Sequence, residues 1–368
     1  MLSWLLTGAQ ATGSGSTANG VVTGASVIAA GELHACAVVA GGAVKCWGEN
    51  EYGQLGNGNM SDSATPVVDV IGISGAIALA VGAGHTCALV ADGAVECWGL
   101  GVDGRLGNGS TANSATPVDV LGISGATSIA GVEHTCALVA GGAVKCWGPG
   151  SIGQLDNGNA ASSATPVGVV GIAGATSIAA GANYVGGGHT CALVAGGAVK
   201  CWGGNAEGQL GDGSTADSAT PVDVRGISGA TSIAAWFNHT CAVLADGAIK
   251  CWGAGSRGQL GNGERIDSST PVDVIGIRGA TSLTAGFNHT CAVVAGGAVK
   301  CWGENADGQL GNGETAVRST PVAVLGISGA ASLAAGRGFT CALVAGGAVQ
   351  CWGGHPLPTR RGRPAAPE

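Results

Sequence analysis

The chain has 368 residues, 46% of them hydrophobic and only 10% charged, with 71 glycines and a formal net charge of −8. A charged fraction this low, joined to a periodic apolar pattern, excludes a disordered solvating segment. No apolar run reaches the eighteen residues of a helical membrane span, and the only basic cluster is Arg360, Arg361 and Arg363 near the C-terminus, so neither a membrane span nor nucleic-acid binding is expected.

The first residues, MLSWLLTGAQA, end on Ala9-Gln10-Ala11 but lack lysine and arginine and have a short apolar core, which makes a poor signal peptide. They read better as part of a repeat. Trp4 precedes Gly13-Ser14-Gly15 by the same offset that separates Trp302 from Gly311-Asn312-Gly313, and residues 16–33 look like a shortened copy of the strand segment that follows. If the chain is exported, its signal is expected upstream of a misplaced start.

From Cys36 onward one unit recurs seven times, each with the spacing C-x9-C-W-G. The spacing pairs Cys36 with Cys46, Cys87 with Cys97, Cys136 with Cys146, Cys191 with Cys201, Cys241 with Cys251, Cys291 with Cys301 and Cys341 with Cys351, and no cysteine is left over. Their first members are 51, 49, 55, 50, 50 and 50 residues apart, a period that means a propeller or a solenoid. In the second copy, CALVA and AVECW flank Asp92-Gly93 as a hairpin, and TPVDVLGI and ATSIA read as two further strands between glycine-rich turns. Four short strands per unit make a propeller blade. After Trp352 the chain lacks the GQLGNG segment, and the N-terminus carries the missing half. The expected fold is therefore all-β: a seven-bladed β-propeller over residues 1–356, with N- and C-terminal fragments sharing one blade. Residues 357–368 are expected as a disordered Pro/Arg-rich tail.

The hairpin register follows from its loop. With Ala91-Asp92-Gly93 as a three-residue turn and glycine in the left-handed position, Val90 faces Ala94, Leu89 faces Val95 and Cys87 faces Cys97. Alternation makes the cysteines a non-hydrogen-bonded pair, with α-carbons about 4.5 Å apart, within disulfide reach. One cross-strand disulfide per blade is the preferred reading. Zinc held by His85, Cys87 and Cys97 and their equivalents, or free thiols in a reducing cytosol, are the alternatives.

The run H-T-C-A-L-V-x-x-G-x-V-x-C-W-G-x-N-x-x-G-Q-L-G-N-G…T-P resembles the regulator of chromosome condensation repeat, over nearly the whole chain. The resemblance implies a seven-bladed propeller with one blade split between the chain ends. It also implies guanine-nucleotide exchange on a small GTPase as one activity. The paired cysteines depart from the family's eukaryotic founder and look more like extracellular bacterial versions. A third reading, inhibition of a secreted enzyme, comes from similarity to β-lactamase-inhibiting propellers built of related repeats.

Little in the residues points to catalysis. His34, His85, His134, His189, His239 and His289 share one repeat position, where Phe339 stands in the seventh copy; a hydrogen bond to a neighbouring turn is expected of them. Asp92 and Asp246 are turn residues. No catalytic group, metal site or cofactor is expected. Acids and bases are uneven: eleven against three in residues 1–184, twelve against twelve in 185–368, so one arc of the ring should be acidic.

Where the repeats disagree, a binding site is expected. Asn183-Tyr184-Val185-Gly186-Gly187 is an insertion before His189, Trp236-Phe237 replaces small residues, and Arg337 stands where Phe237 and Phe287 stand. Asn183, Tyr184, Trp236, Phe237, Phe287 and Arg337 all precede the same strand of their blades and should cluster on one rim, with hot-spot composition. The leading expectation is a non-enzymatic monomer at an extracellular, periplasmic or cell-surface address, binding a protein through that rim. A cytoplasmic address is the alternative.

Overall fold

The computed structural model describes residues 22–158, 160–182 and 188–354. Within them seven antiparallel sheets form a ring, six with four strands in chain order and the last with three. The first blade comprises Val27–Ala30, His34–Val38, Val44–Gly48 and Ser63–Asp69. The seventh comprises Ala330–Ala335, Phe339–Val344 and Ala348–Gly353. The fold is a seven-bladed β-propeller. The segment expected to complete blade 7 and the C-terminal tail both lie outside the described residues.

Each hairpin adopts the register that its loop dictates. Cys87 is opposite Cys97 and Leu89 opposite Val95, while the Val90 N–H donates to the Ala94 carbonyl at 3.0 Å. Gly93 takes φ +83°, the left-handed turn position that a Cβ disfavours.

The cysteines are joined as their spacing implies. Disulfides link Cys36 to Cys46, Cys87 to Cys97, Cys136 to Cys146 and Cys191 to Cys201 in blades 1 to 4. In blades 5 to 7 they link Cys241 to Cys251, Cys291 to Cys301 and Cys341 to Cys351. The α-carbons of every pair are 4.0 or 4.1 Å apart, somewhat closer than the expected 4.5 Å, and no described cysteine is free. The zinc and free-thiol alternatives are thereby set aside, because a disulfide sulfur supplies no thiolate.

The core lies between blades rather than within one. Cys36, Val38, Val44 and Cys46 of blade 1 pack on Leu79, Ala88 and Trp98 of blade 2, and the pattern repeats around the ring. Both faces of the inner strands are covered, which explains apolar runs where a half-exposed sheet would alternate. The docking loop of each of the first six blades, Gly-Gln-Leu-Gly in four of them, packs on the next blade. Leu55 is fully buried, and the Gln54 carbonyl accepts from the Trp98 indole and from the Thr86 hydroxyl, both at 2.9 Å.

Closure uses the same contacts. The Ala25 N–H donates to the Gly347 carbonyl at 2.9 Å, as Ala126 does to Gly93 at 3.0 Å between blades 2 and 3. The Val349 N–H donates to the Val22 carbonyl at 3.2 Å. Strand Val27–Ala30 touches Ala330–Ala335, so the first strands form an unbroken circle around a channel.

Candidate binding rim at the channel mouth

The inward strand of each blade turns back at one mouth of the channel, and the turn residue is the one position that neither ladder uses. Glu32, Ala83, Phe237, Phe287 and Arg337 occupy it two residues before the shared histidine or phenylalanine; in blade 3, whose turn is one residue shorter, Glu133 takes the place, and in blade 4 Ala182 does, with the insertion after it in the sequence. The backbone fixes the circle. Glu32 N–H donates to Gly82, Ala83 to Val132, Phe287 to Gly336 and Arg337 to Glu32, at 2.8–3.3 Å. The repeat therefore specifies the main chain and leaves these side chains variable, as functional loops on a rigid scaffold are.

Three of the anticipated rim residues come together. The Phe237 and Phe287 rings lie 4.2 Å apart between centroids, tilted by 32°, and the Arg337 guanidinium sits 5.3 Å from the Phe287 centroid. Arg337 Nη1 also meets Glu32 Oε1 at 3.0 Å, across the seam between blades 7 and 1. This ion pair is partly solvated and contributes at most about 1 kcal/mol, so it orients the guanidinium more than it stabilises the ring. Phe237 has φ +46°, a left-handed conformation that is costly for a bulky residue and directs the ring toward Phe287.

Trp236 departs from the expectation. It is 5% exposed and packs with Val132, Ala182 and Ala285 in the throat of the channel, below the rim. Strand parity explains this: Trp236 shares a face with Ala234, which packs in the same cluster, whereas Ala235 turns to the core between blades. Its Nε1 is buried without a hydrogen-bond partner. Asn183 and Tyr184 lie outside the described residues, although Ala182 beside them lines the mouth.

Two hollows result. The channel, about 220 Å³, is lined by small and branched apolar residues such as Ile28, Leu79, Ile129, Ala179 and Leu333. At its mouth a recess of about 40 Å³ is walled by Glu32, Glu133, Trp236, Phe237 and Phe287. Glu133 Oε2 is buried and unpartnered; burial pushes its carboxyl up, and the positive charge of Arg105 opposes that shift. Glu32 and Glu133 were readable in the sequence, since they occupy the slot of Phe237, Phe287 and Arg337, but only aligning that slot through blades 1 and 3 reveals it.

The repeated histidines are structural, with a partner other than the one anticipated. His34, His85, His134, His189, His239 and His289 each place Nε2 at 2.6–3.0 Å from a threonine hydroxyl of the next blade, not on a turn. In five of these the threonine donates its own proton to the docking-loop glutamine carbonyl. The histidine must then donate from Nε2, which leaves Nδ1 bare; all six Nδ1 atoms are buried without a partner. Burial pushes His34, His189 and His289 down to about 3 and His134 and His239 to about 4, and holds His85 well below its ordinary value. Neutral, occluded imidazoles of this kind hold blades together and offer nothing to a substrate. Among the described residues no group of three His, Cys, Asp or Glu side chains is arranged to hold a metal, and no helix is long and apolar enough to cross a membrane.

A disulfide-stapled seven-bladed propeller with a repeat-breaking rim thus defines the class. One model of the regulator of chromosome condensation (RCC1) repeat matches residues 42–89, 92–138, 197–243, 246–293 and 297–343, and a second model of the same repeat matches five segments between 26 and 309 that overlap these. The chain belongs to the regulator of chromosome condensation repeat family. It is 31% identical to the ultraviolet-B receptor UVR8 of Arabidopsis thaliana over 206 residues, 54% of this chain and 45% of that protein. It thus spans less than half the length of this curated relative. Among solved structures it resembles human WBSCR16 (TM-score 0.74, 18% identity, 89% of this chain and 86% of that one). It also resembles Prp20p of Saccharomyces cerevisiae (TM-score 0.72, 22% identity, 90% and 82%). At such identities these structures bear on the fold alone.

Proposed function

We propose that this chain is an exported, non-enzymatic binding propeller that captures a protein partner as a monomer through the rim around its channel mouth. One observation carries the reading: the side chains that break the repeat, Phe237, Phe287 and Arg337, stack into one contiguous group at a single mouth. Aromatics with arginine are the composition of interface hot spots. Seven disulfides support an oxidising compartment.

The test uses protein from its own host, alkylated before reduction and then used as bait. Absence of alkylated cysteine and capture of a partner lost in the Phe237→Ala/Phe287→Ala/Arg337→Ala variant are expected. Fourteen alkylated thiols would sink export, and undiminished capture by a folded triple variant would sink the rim.

A second reading, guanine-nucleotide exchange on a small GTPase, rests on family membership; Prp20p of Saccharomyces cerevisiae binds Gsp1p and histones. Release of bound nucleotide from a GTPase, abolished in the rim variant, is the result that would favour it.

A further inference from the structure

The rim already holds one cation. Arg337 lies over an aromatic ring and against a carboxylate, Phe287 and Glu32, which is the arrangement that a desolvated cation prefers. The mouth recess repeats that combination on its other side. Glu133 lines it together with Trp236 and Phe237, forms no ion pair within 4.0 Å among the described residues, and keeps one carboxylate oxygen buried without a partner. The positive charge of Arg105 lowers the cost of burying Glu133, but Arg105 does not line the recess. Residues 183–187, which follow Ala182 in the sequence, include no basic residue.

We propose that this recess is a socket for the ε-ammonium of a lysine side chain on the partner protein, an assignment that rests on the rim reading above. Size selects the ligand. About 40 Å³ admits a few water-sized groups, enough for an ammonium and its last methylenes, and far less than a metabolite pocket. A lysine brings a compact charge on an apolar stem that the phenyl and indole walls cover, whereas the wide planar fork of arginine needs more room. Glu133 accepts the charge, Glu32 at the lip is already paired with Arg337, and Trp236 forms the floor. Residues 1–184, which include Glu32 and Glu133, carry eleven acids against three bases, a balance that favours a basic partner.

Saturation-transfer NMR on the full chain tests the socket with Nα-acetyl-lysine methylamide, and with its norleucine and arginine counterparts. The lysine amide is expected to bind about tenfold more tightly than the norleucine amide, which shares its stem and lacks its charge. That advantage should vanish in Glu133→Gln, fall in Glu133→Asp, whose carboxylate is retracted, and persist in Glu264→Gln, a charge-matched change at an exposed acid. Equal binding of norleucine, preference for arginine, or an advantage that survives both Glu133 variants in folded protein overturns the assignment. The two readings fail separately. If the rim triple variant loses the partner but the lysine amide never binds, the socket falls and the rim stands. If the amide binds but the triple variant keeps its partner, the reverse holds.

Discussion

Six of the seven blade boundaries are closed by a polar latch, and the seventh is not. Between blades 1 and 2 the latch is His34 to Thr86 at 2.8 Å, and the same pair recurs through His289 to Thr340. Between blades 7 and 1 the two positions are Phe339 and Ala35, and both lie in one apolar cluster with Val22, Ala25 and Val349. Both members changed together. A histidine facing alanine would bury an imidazole with no acceptor for its N–H, and a threonine facing phenylalanine would lose the partner that its lone pair serves. The seam between blades 7 and 1 therefore lacks the buried side-chain latch and packs by shape and area at that position, its register being held by main-chain bonds such as Ala25 to Gly347 and Val349 to Val22.

Acid separates the two kinds of boundary most strongly. Each latch histidine is neutral in the fold: burial lowers five of them to about 3 or 4 and holds His85 well below its ordinary value, against about 6.5 when unfolded. Between those values the unfolded chain binds more protons, so stability is complete above pH 6.5 and is lost as pH falls toward 4. Each latch contributes up to about 1.4 kcal/mol per pH unit in that window. Protonation adds a buried Nδ1–H with nothing to accept it, which is the structural cause. Melting by calorimetry is expected to drop by about 10 °C or more between pH 7.5 and 5. A flat profile would show that the imidazoles relax to solvent and that the latches are weak.

The seam can be converted directly. Phe339→His alone should cost about 1–3 kcal/mol, because it removes a packed ring and buries an unpaired donor. Adding Ala35→Thr supplies the acceptor and should recover much of that loss, a coupling measurable by a double-mutant cycle in denaturant. The doubly substituted ring should also become slightly more acid-sensitive than the native one. Additive effects of the two changes would mean that the seventh boundary is too far from the geometry of the others to form a latch.

The seams also show what could be read along the chain and what could not. The period, the hairpin register and the pairing Cys87–Cys97 are local: a ten-residue interval and one left-handed glycine determine them. The histidine's partner is about fifty residues away on another sheet, so local reasoning placed it on a nearby turn. The covariation of Phe339 with Ala35 spans the whole chain and has meaning only once the ring is closed. At the rim, one strand face decided the outcome. Phe237 and Trp236 are adjacent in sequence, yet parity sends Trp236 into the throat and leaves Phe237 at the lip. Glu32 and Glu133 were visible as substitutions at the variable turn, but their meeting across the mouth is a property of the circle.

A smaller irregularity tests how strictly the docking loops follow the repeat. Asp156 stands where Gly56, Gly107, Gly211, Gly261 and Gly311 stand, at the loop that docks on the next blade's tryptophan. At those glycines an added Cβ would lie 2.7–2.8 Å from the indole nitrogen, so the site is built for a residue without one. Asp156 nevertheless occupies it at φ +43°, 1% exposed, with both carboxylate oxygens unpartnered. Burial raises its carboxyl to about 7, the Val170 backbone N–H opposes that shift only in part, and nothing in the structure explains the residue. Asp156→Gly should therefore stabilise the protein, by about 1–3 kcal/mol from relief of backbone strain. The gain has its own pH signature. Because the folded carboxyl holds its proton above the unfolded range, native stability falls as pH rises from about 4 toward 7, opposite in sign to the histidines and one group against six. The variant lacks this loss, so its advantage over the native chain should be larger at pH 8 than at pH 5.5. Melting curves at both values measure it. A variant less stable than the native chain at pH 8 would mean that the carboxylate is paired after all, and that the loop between blades 3 and 4 has a contact the others do not.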